Sequence, residues 1–162
     1  MPDLFMDLYL LMEKQVSTVH NLTAAVERQI AALRQDSLND LNNALEEIGA
    51  HGVELARLED TRLGVQIELE KVLGLPEGAG LKDLLPYAPP DLQGPMTALR
   101  DRLKDALRAL QEANSIAQAM SACALQLHTT MLRLLTNRGG ETYGAGGKID
   151  GGGAAGSLDR SV

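Results

Sequence analysis

The chain has 162 residues, a net charge of −7 and a pI near 4.9, and this acidic balance argues against DNA or RNA as the main ligand. Aromatic residues make up 2% of the sequence, which is too little to fill a thick globular core but is enough for a thin helix–helix contact. The single cysteine excludes an intramolecular disulfide and a cysteine-based zinc cluster.

The first predicted helix covers residues 3–34. Asp3 and Asp7 stand where a signal peptide needs positive charge, and no apolar run reaches the roughly 18 residues of a membrane span. We therefore expect a cytoplasmic protein that does not insert into a membrane. The apolar residues recur at steps of four and three, the heptad spacing of a helix packed along another helix. This seam consists of Phe5, Tyr9, Met12, Val16, Val19, Thr23, Val26, Ile30 and Leu33.

The second predicted helix covers residues 37–73, with Asp36 or Ser37 as its N-cap. The spacing of its apolar residues slips around Leu55–Leu58, which predicts a stutter in the seam. We expect the helix to end before Gly74. Its apolar residues are Leu38, Leu41, Leu45, Ile48, Leu55, Leu58, Val65, Leu69 and Val72.

A linker over residues 74–95 holds five of the six prolines and separates the second helix from a third long helix predicted over 96–137. The third helix keeps the three–four alternation, and its central positions are mostly alanine, so a neighbouring helix can approach closely. Residues 36–73 hold nine acids and three bases, whereas residues 96–138 hold six bases and three acids. This charge difference favours an antiparallel pairing of the two helices.

These elements predict an all-α fold, an elongated antiparallel helical bundle of three long helices over residues 1–138. From Gly139 onwards, 9 of 24 residues are glycine. Such a segment buries too little apolar area to offset its ordering entropy, so residues 139–162 are predicted to form a disordered tail.

The sequence offers little catalytic chemistry. The three histidines, His20, His51 and His128, lack metal-ligand spacing, so no metal site is predicted. Cys123 precedes a seam position and is predicted to be a buried small hydrophobe. No GxSxG elbow is present, and the two glycine clusters do not continue as phosphate-binding motifs. We therefore predict a protein that is not an enzyme and uses no cofactor.

The end of the third helix carries apolar residues on more than one line of its surface. Two interpretations remain open: these residues pack as core against the first two helices, or they form a surface that binds a partner helix. The candidate binding residues are Met120, Leu125, Leu127, Met131, Leu132, Leu134 and Leu135.

The order of elements adds a family resemblance. Two long helices are followed by Gly74-Leu75-Pro76, then by a further long helix that ends through Leu134–Thr136 into the tyrosine–glycine element Tyr143–Gly147. This combination resembles the flagellar export chaperones of the FlgN type. The resemblance implies a cytoplasmic protein that escorts hook-associated proteins, the hook–filament junction subunits, to the type III export apparatus.

The resemblance also implies roles for two regions. The last helix would bind the terminal segments of the cargo and prevent their premature self-association. The tail residues Tyr143, Gly144 and Gly147 would dock the loaded chaperone on the cytoplasmic domain of the export gate. The rival hypothesis is a structural coiled-coil protein whose heptads serve homo-oligomerisation.

Overall fold

The fold is all-helical, as predicted. A computed structural model of the chain describes residues 2–138, and helices account for 92% of these residues. No β-strand occurs between residues 2 and 138. The predicted tail, 139–162, lies outside the described residues. In chain order the elements are α1 (Pro2–Gln35), α2 (Leu38–Leu73), α3 (Leu81–Leu84), one turn of 3₁₀ helix (Leu85–Tyr87) and α4 (Pro90–Arg138).

A tight turn joins α1 to α2. Asp36 has a φ of 52°, in the left-handed region that aspartate tolerates better than most residues. Ser37 occupies the predicted N-cap position, and its N–H donates to the carbonyl of Ala32 at 3.0 Å. The Ser37 hydroxyl bonds to the carboxylate of Asp40 at 2.7 Å and makes no cap bond to the backbone. The chain therefore reverses direction within two residues.

Polar contacts fix the register between α1 and α2. The Nε2 of Gln15 donates to the carboxylate of Glu59 at 2.7 Å. Further along α1, Arg28 forms an ion pair with Glu47, which lies nearer the start of α2. Because the partner on α2 moves backwards as α1 advances, the two helices are antiparallel.

The predicted seam of α1 is largely confirmed. Tyr9, Thr23 and Leu33 are the exceptions, because they are only half-buried, and the Tyr9 hydroxyl donates to Glu13 at 2.9 Å. A second line of α1 residues is buried as well, which gives this helix two packed sides. The buried members of the predicted seam are Phe5, Met12, Val16, Val19, Val26 and Ile30. The second line consists of Leu8, Gln15, Leu22, Ala25 and Ala32.

The predicted stutter in α2 is wrong. A continuous line at three–four spacing is buried or half-buried along the helix, and two of its positions are His51 and Arg62, which an apolar pattern does not count. Leu38 and Leu45 lie on the outer side and are exposed, and Val72 is also exposed. The slip in spacing that the sequence predicts arises because these three exposed residues are counted as part of the seam. The seam of α2 consists of Leu41, Ala44, Ile48, His51, Leu55, Leu58, Arg62, Val65 and Leu69.

The fourth helix begins at Pro90, six residues before the predicted start at 96. The carbonyl of Pro89 accepts hydrogen bonds from the N–H groups of Leu92 and Gln93, at 2.8 and 3.1 Å. Proline suits the first helical position because its missing N–H would be unpaired there. Pro95 is tolerated inside the helix, and the preceding Gly94 has no Cβ to clash with its ring.

Two apolar clusters join α4 to the other helices. In the first, Met96 and Leu99 pack with Phe5, Leu8 and Leu69. In the second, the buried alanines of α4 pack with residues in the second half of α1, and Ile48 of α2 lies against them. The second cluster is formed by Val26, Ile30, Ala113 and Ala117.

The chain divides into two compact units between Ala122 and Cys123, within α4. The clusters above belong to the first unit, and residues 123–138 are the described part of the second. The prediction of one domain over 1–138 stays a prediction. Among the helices of residues 2–138, none combines the length and apolar character that a transmembrane span requires.

Candidate apolar binding site

Six large apolar side chains are exposed over three turns of α4. Their exposed fractions lie between 53% and 69%, so they are not core residues and the core interpretation fails for them. Exposed apolar surface of this kind marks interaction sites in folded proteins. We call this set the C-terminal apolar face: Leu125, Leu127, Met131, Leu132, Leu134 and Leu135.

Helix geometry spreads these side chains over about half of the circumference of α4. Residues three, four and seven apart lie above one another on a helix, so Leu127, Met131 and Leu134 form one line. Leu125 and Leu132 are seven residues apart and form a second line about 140° around the helix from the first, and Leu135 lies between the two lines. An apolar side that spans two lines is wide enough to receive an amphipathic partner helix.

Threonine hydroxyls beside the face are satisfied by the helix itself. Thr129 donates to the carbonyl of Leu125 at 2.9 Å, and Thr136 donates to that of Leu132 at 2.9 Å. Bonds of this kind turn the hydroxyl towards its own backbone. A partner that covers the face therefore leaves neither of these hydroxyls without a hydrogen bond.

Met120, the seventh predicted binding residue, differs from the other six. It is half-buried in the first unit and packs against the cluster that contains Val26 and Ala117. Its role as a binding residue stays a prediction, and it does not belong to the C-terminal apolar face.

The charge around the face is positive. Residues 123–138 contain Arg133 and Arg138 and no aspartate or glutamate. Among the described residues, Arg133 takes part in no salt bridge. Charged groups at the edge of such a face influence partner choice and association rate more than affinity.

Cys123 is exposed, so the prediction of a buried thiol is wrong. One residue corresponds to a rotation of about 100° around a helix, and this step places Cys123 outside the seam position at Ala124. Within the described part of the chain, no group of His, Cys, Asp and Glu side chains could hold a metal ion.

Shifted pKa values occur at surface contacts on α1 and α2. Hydrogen bonds from Arg62 lower the pKa of the Glu59 carboxyl, and Arg57 lowers that of Glu54 in the same way. A hydrogen bond to Glu13 raises the pKa of the Tyr9 phenol. These shifts follow from local ion pairs and hydrogen bonds, and none lies at the C-terminal apolar face.

Sequence reasoning missed exposed apolar residues on the outer side of α2. Leu63 and Ile67 are 41% and 47% exposed and lie one turn apart. Their spacing, offset from the seam, was the available signal. The predicted docking residues Tyr143, Gly144 and Gly147 lie outside the described residues, so their role stays a prediction.

Comparison with protein families gives a match over most of the chain. A family model described as "FlgN protein" matches residues 1–151. Comparisons with curated proteins and with solved structures gave no match.

Proposed function

The chain belongs to the FlgN family of flagellar export chaperones, and we propose that it binds hook-associated proteins, prevents their premature self-association and delivers them to the flagellar export gate. Chaperones of this family bind flagellar hook-associated proteins. The observation that supports a binding role for this chain is the C-terminal apolar face.

The proposed mechanism is helix-on-helix binding. A terminal segment of the cargo forms an amphipathic helix and lays its apolar side on the C-terminal apolar face. Burying one leucine or methionine side chain contributes about 1.5–3 kcal/mol before the costs of association. While that side of the cargo is covered, it cannot pair with another cargo molecule as a coiled coil.

Support for the predicted antiparallel arrangement of three long helices comes from the first unit. The Gln15–Glu59 contact sets α1 against α2 in opposite directions. Met96 shares a cluster with Phe5, and Ala117 shares one with Ile30, so α4 advances in the same direction as α1.

Replacing three residues of the face with glutamine tests the cargo site. We expect affinity for the isolated terminal segment of a hook-associated protein to fall at least about 100-fold, because central apolar anchors dominate such interfaces. Isothermal titration calorimetry measures the loss, and circular dichroism checks the fold. The variant is Leu127→Gln, Met131→Gln and Leu134→Gln.

A matched control alters equally exposed apolar residues of α2. It carries Leu38→Gln, Leu45→Gln and Val53→Gln, at positions that are 70%, 46% and 73% exposed. We expect this control to bind cargo like the unaltered chain. If the face variant folds and binds normally, the proposed site is wrong. If light scattering shows a stable homo-oligomer that ignores cargo, the coiled-coil rival is correct.

Delivery to the export gate is tested separately at Tyr143. In the proposal, this ring supplies most of a weak contact with the cytoplasmic domain of the gate. Tyr143→Ala should therefore reduce binding of the loaded chaperone to that domain about tenfold or more, without changing stability or cargo affinity. Tyr87→Ala is the matched control, since Tyr87 is 52% exposed in another part of the chain. Equal effects of the two substitutions would rule out a specific role for Tyr143.

A further inference from the structure

A groove of about 480 Å³ lies beside the C-terminal end of α2, where the helix faces the loop that leads to α3. We call it the α2 groove. Its apolar wall consists of Leu63, Ile67 and Leu75, and its charged groups are Glu70, Lys71 and Glu77. The volume falls in the range of about 300–1,000 Å³ that is usual for ligand sites.

The loop side of the α2 groove is held by buried side chains of α2. The Nε2 of Gln66 donates to the carbonyl of Ala79, and the carboxylate of Glu70 accepts the N–H of Gly78 at 3.2 Å. Gly78 has a φ of 83°, which a side chain would strain. The loop conformation is therefore fixed by the protein itself, and the groove is formed before any partner arrives.

The apolar wall is not used by the packing of α2 on α1. Leu63 and Ile67 are 41% and 47% exposed, whereas Leu69 on the seam is fully buried. No Cβ placed on the neighbouring Gly64 would meet an atom within 4 Å, so the helix surface there is open. This wall provides apolar area that a partner side chain can cover.

The buried carboxylate of Glu70 in the α2 groove is not paired with a cation within residues 2–138. Glu70 is only 5% exposed, yet its carboxylate takes part in no salt bridge among the described residues. Buried carboxylates are normally paired with a cation, and one backbone N–H leaves most of the acceptor capacity of Glu70 unused. Glu77 adds a second carboxylate to the lining, against the single ammonium of Lys71.

We propose that the α2 groove is a docking site for a segment of another protein that presents a bulky aliphatic side chain next to an arginine. The aliphatic side chain lies against Leu63 and Ile67. The guanidinium donates to the carboxylates of Glu70 and Glu77, since arginine is suited to paired carboxylate contacts. This site is separate from the C-terminal apolar face and does not depend on the proposed cargo.

Amide chemical shifts of the full-length chain test this proposal. The probe is acetyl-leucyl-arginine amide, with acetyl-leucyl-glutamate amide as its charge-reversed control. We expect the arginine probe to shift the signals of Ile67 and Gly78 in a saturable manner and the glutamate probe to leave them in place. If both probes shift these signals equally, the carboxylates play no part and the proposal is wrong.

Two substitutions locate the contact. Glu70→Gln retains an acceptor for the Gly78 N–H but removes the charge. We expect this substitution to lower the affinity of the arginine probe about tenfold. Ile67→Ser should abolish detectable binding, whereas Val53→Ser, outside the groove, should not alter it. Unchanged affinity in both groove variants would overturn the proposal. Signals of Gly78 that move with protein concentration alone would assign the groove to a second copy of the chain, which also overturns it.

Discussion

Two stretches of α4 follow the same three–four spacing but differ in size and burial. Between Met96 and Ala117 the seam is buried or half-buried, and most of its later positions are alanines. Between Leu125 and Leu135 the side chains are leucine and methionine, and all are exposed. The alanine positions of the first stretch are therefore covered by the protein itself, and the leucines and the methionine of the second stretch are not.

This contrast shows what heptad spacing does and does not determine. Spacing selects the side of the helix that pairs with a neighbour, and residue size selects how close that neighbour comes. Whether the neighbour belongs to the same chain is not encoded in the period. In α4 the alanine stretch packs within the chain and the leucine-rich stretch is exposed, and the chaperone proposal assigns this exposed stretch to a partner.

The largest expected effect is a difference in unfolding free energy between a substitution in the buried stretch of α4 and one in the exposed stretch. Leu99→Ala removes a side chain that is 2% exposed and should lower the free energy of unfolding by about 2–5 kcal/mol, the usual cost of a cavity. Leu132→Ala, at 62% exposure, should change it by less than about 0.5 kcal/mol. Urea denaturation followed by circular dichroism measures both. Equal losses would mean that the two stretches do not differ in packing.

A smaller effect tests the alanine seam. Ala117 is 2% exposed, so Ala117→Leu should overpack the seam and cost about 1–3 kcal/mol of unfolding free energy. Ala119→Leu is the control, because Ala119 is exposed on the same helix. Thermal unfolding of both variants gives the comparison. If Ala117→Leu is as stable as the control, the helices do not approach closely at this position.

The smallest expected effect concerns acid. Because Arg62 lowers the folded-state pKa of Glu59, this carboxylate stabilises the protein above its unfolded pKa of about 4.3, and the stabilisation is lost as the pH falls through the lowered value. Glu59 lies in α2, whereas the side chains of residues 123–138 include no carboxylate, so this dependence of stability on pH arises in the region that packs as a bundle. Glu59→Gln should be less stable than the unaltered chain at pH 6, with the difference shrinking towards pH 3. A constant difference across this range would contradict the assignment.

The sequence was sufficient for the helices and for the seam of α1. Phe5, Met12 and Val16 are buried as their spacing predicts, because large apolar residues at steps of three and four lie on one side of a helix and are buried together. The seam of α2 was harder, since His51 and Arg62 occupy packed positions with long or polar side chains. The early start of α4 depends on hydrogen bonds to the Pro89 carbonyl, and the spacing of apolar residues contains no information about such bonds.

The candidate site was only half predictable. Its residues could be named from their spacing, but core and surface leucines give the same sequence pattern. Exposure depends on which other helix surfaces are within reach, a property of the packed molecule. The α2 groove was missed for a related reason, since it combines Ile67 with a loop residue, Gly78, that adopts a left-handed conformation.

The exposed thiol of Cys123 has a practical consequence. It is the chain's single cysteine and lies two residues before Leu125, so a thiol-reactive dye attaches at one defined place in the unaltered sequence. The chain also contains no tryptophan, so any tryptophan emission in a mixture comes from the partner. Energy transfer from a partner's tryptophan to a dye on Cys123 would therefore report binding without any engineering of the chaperone.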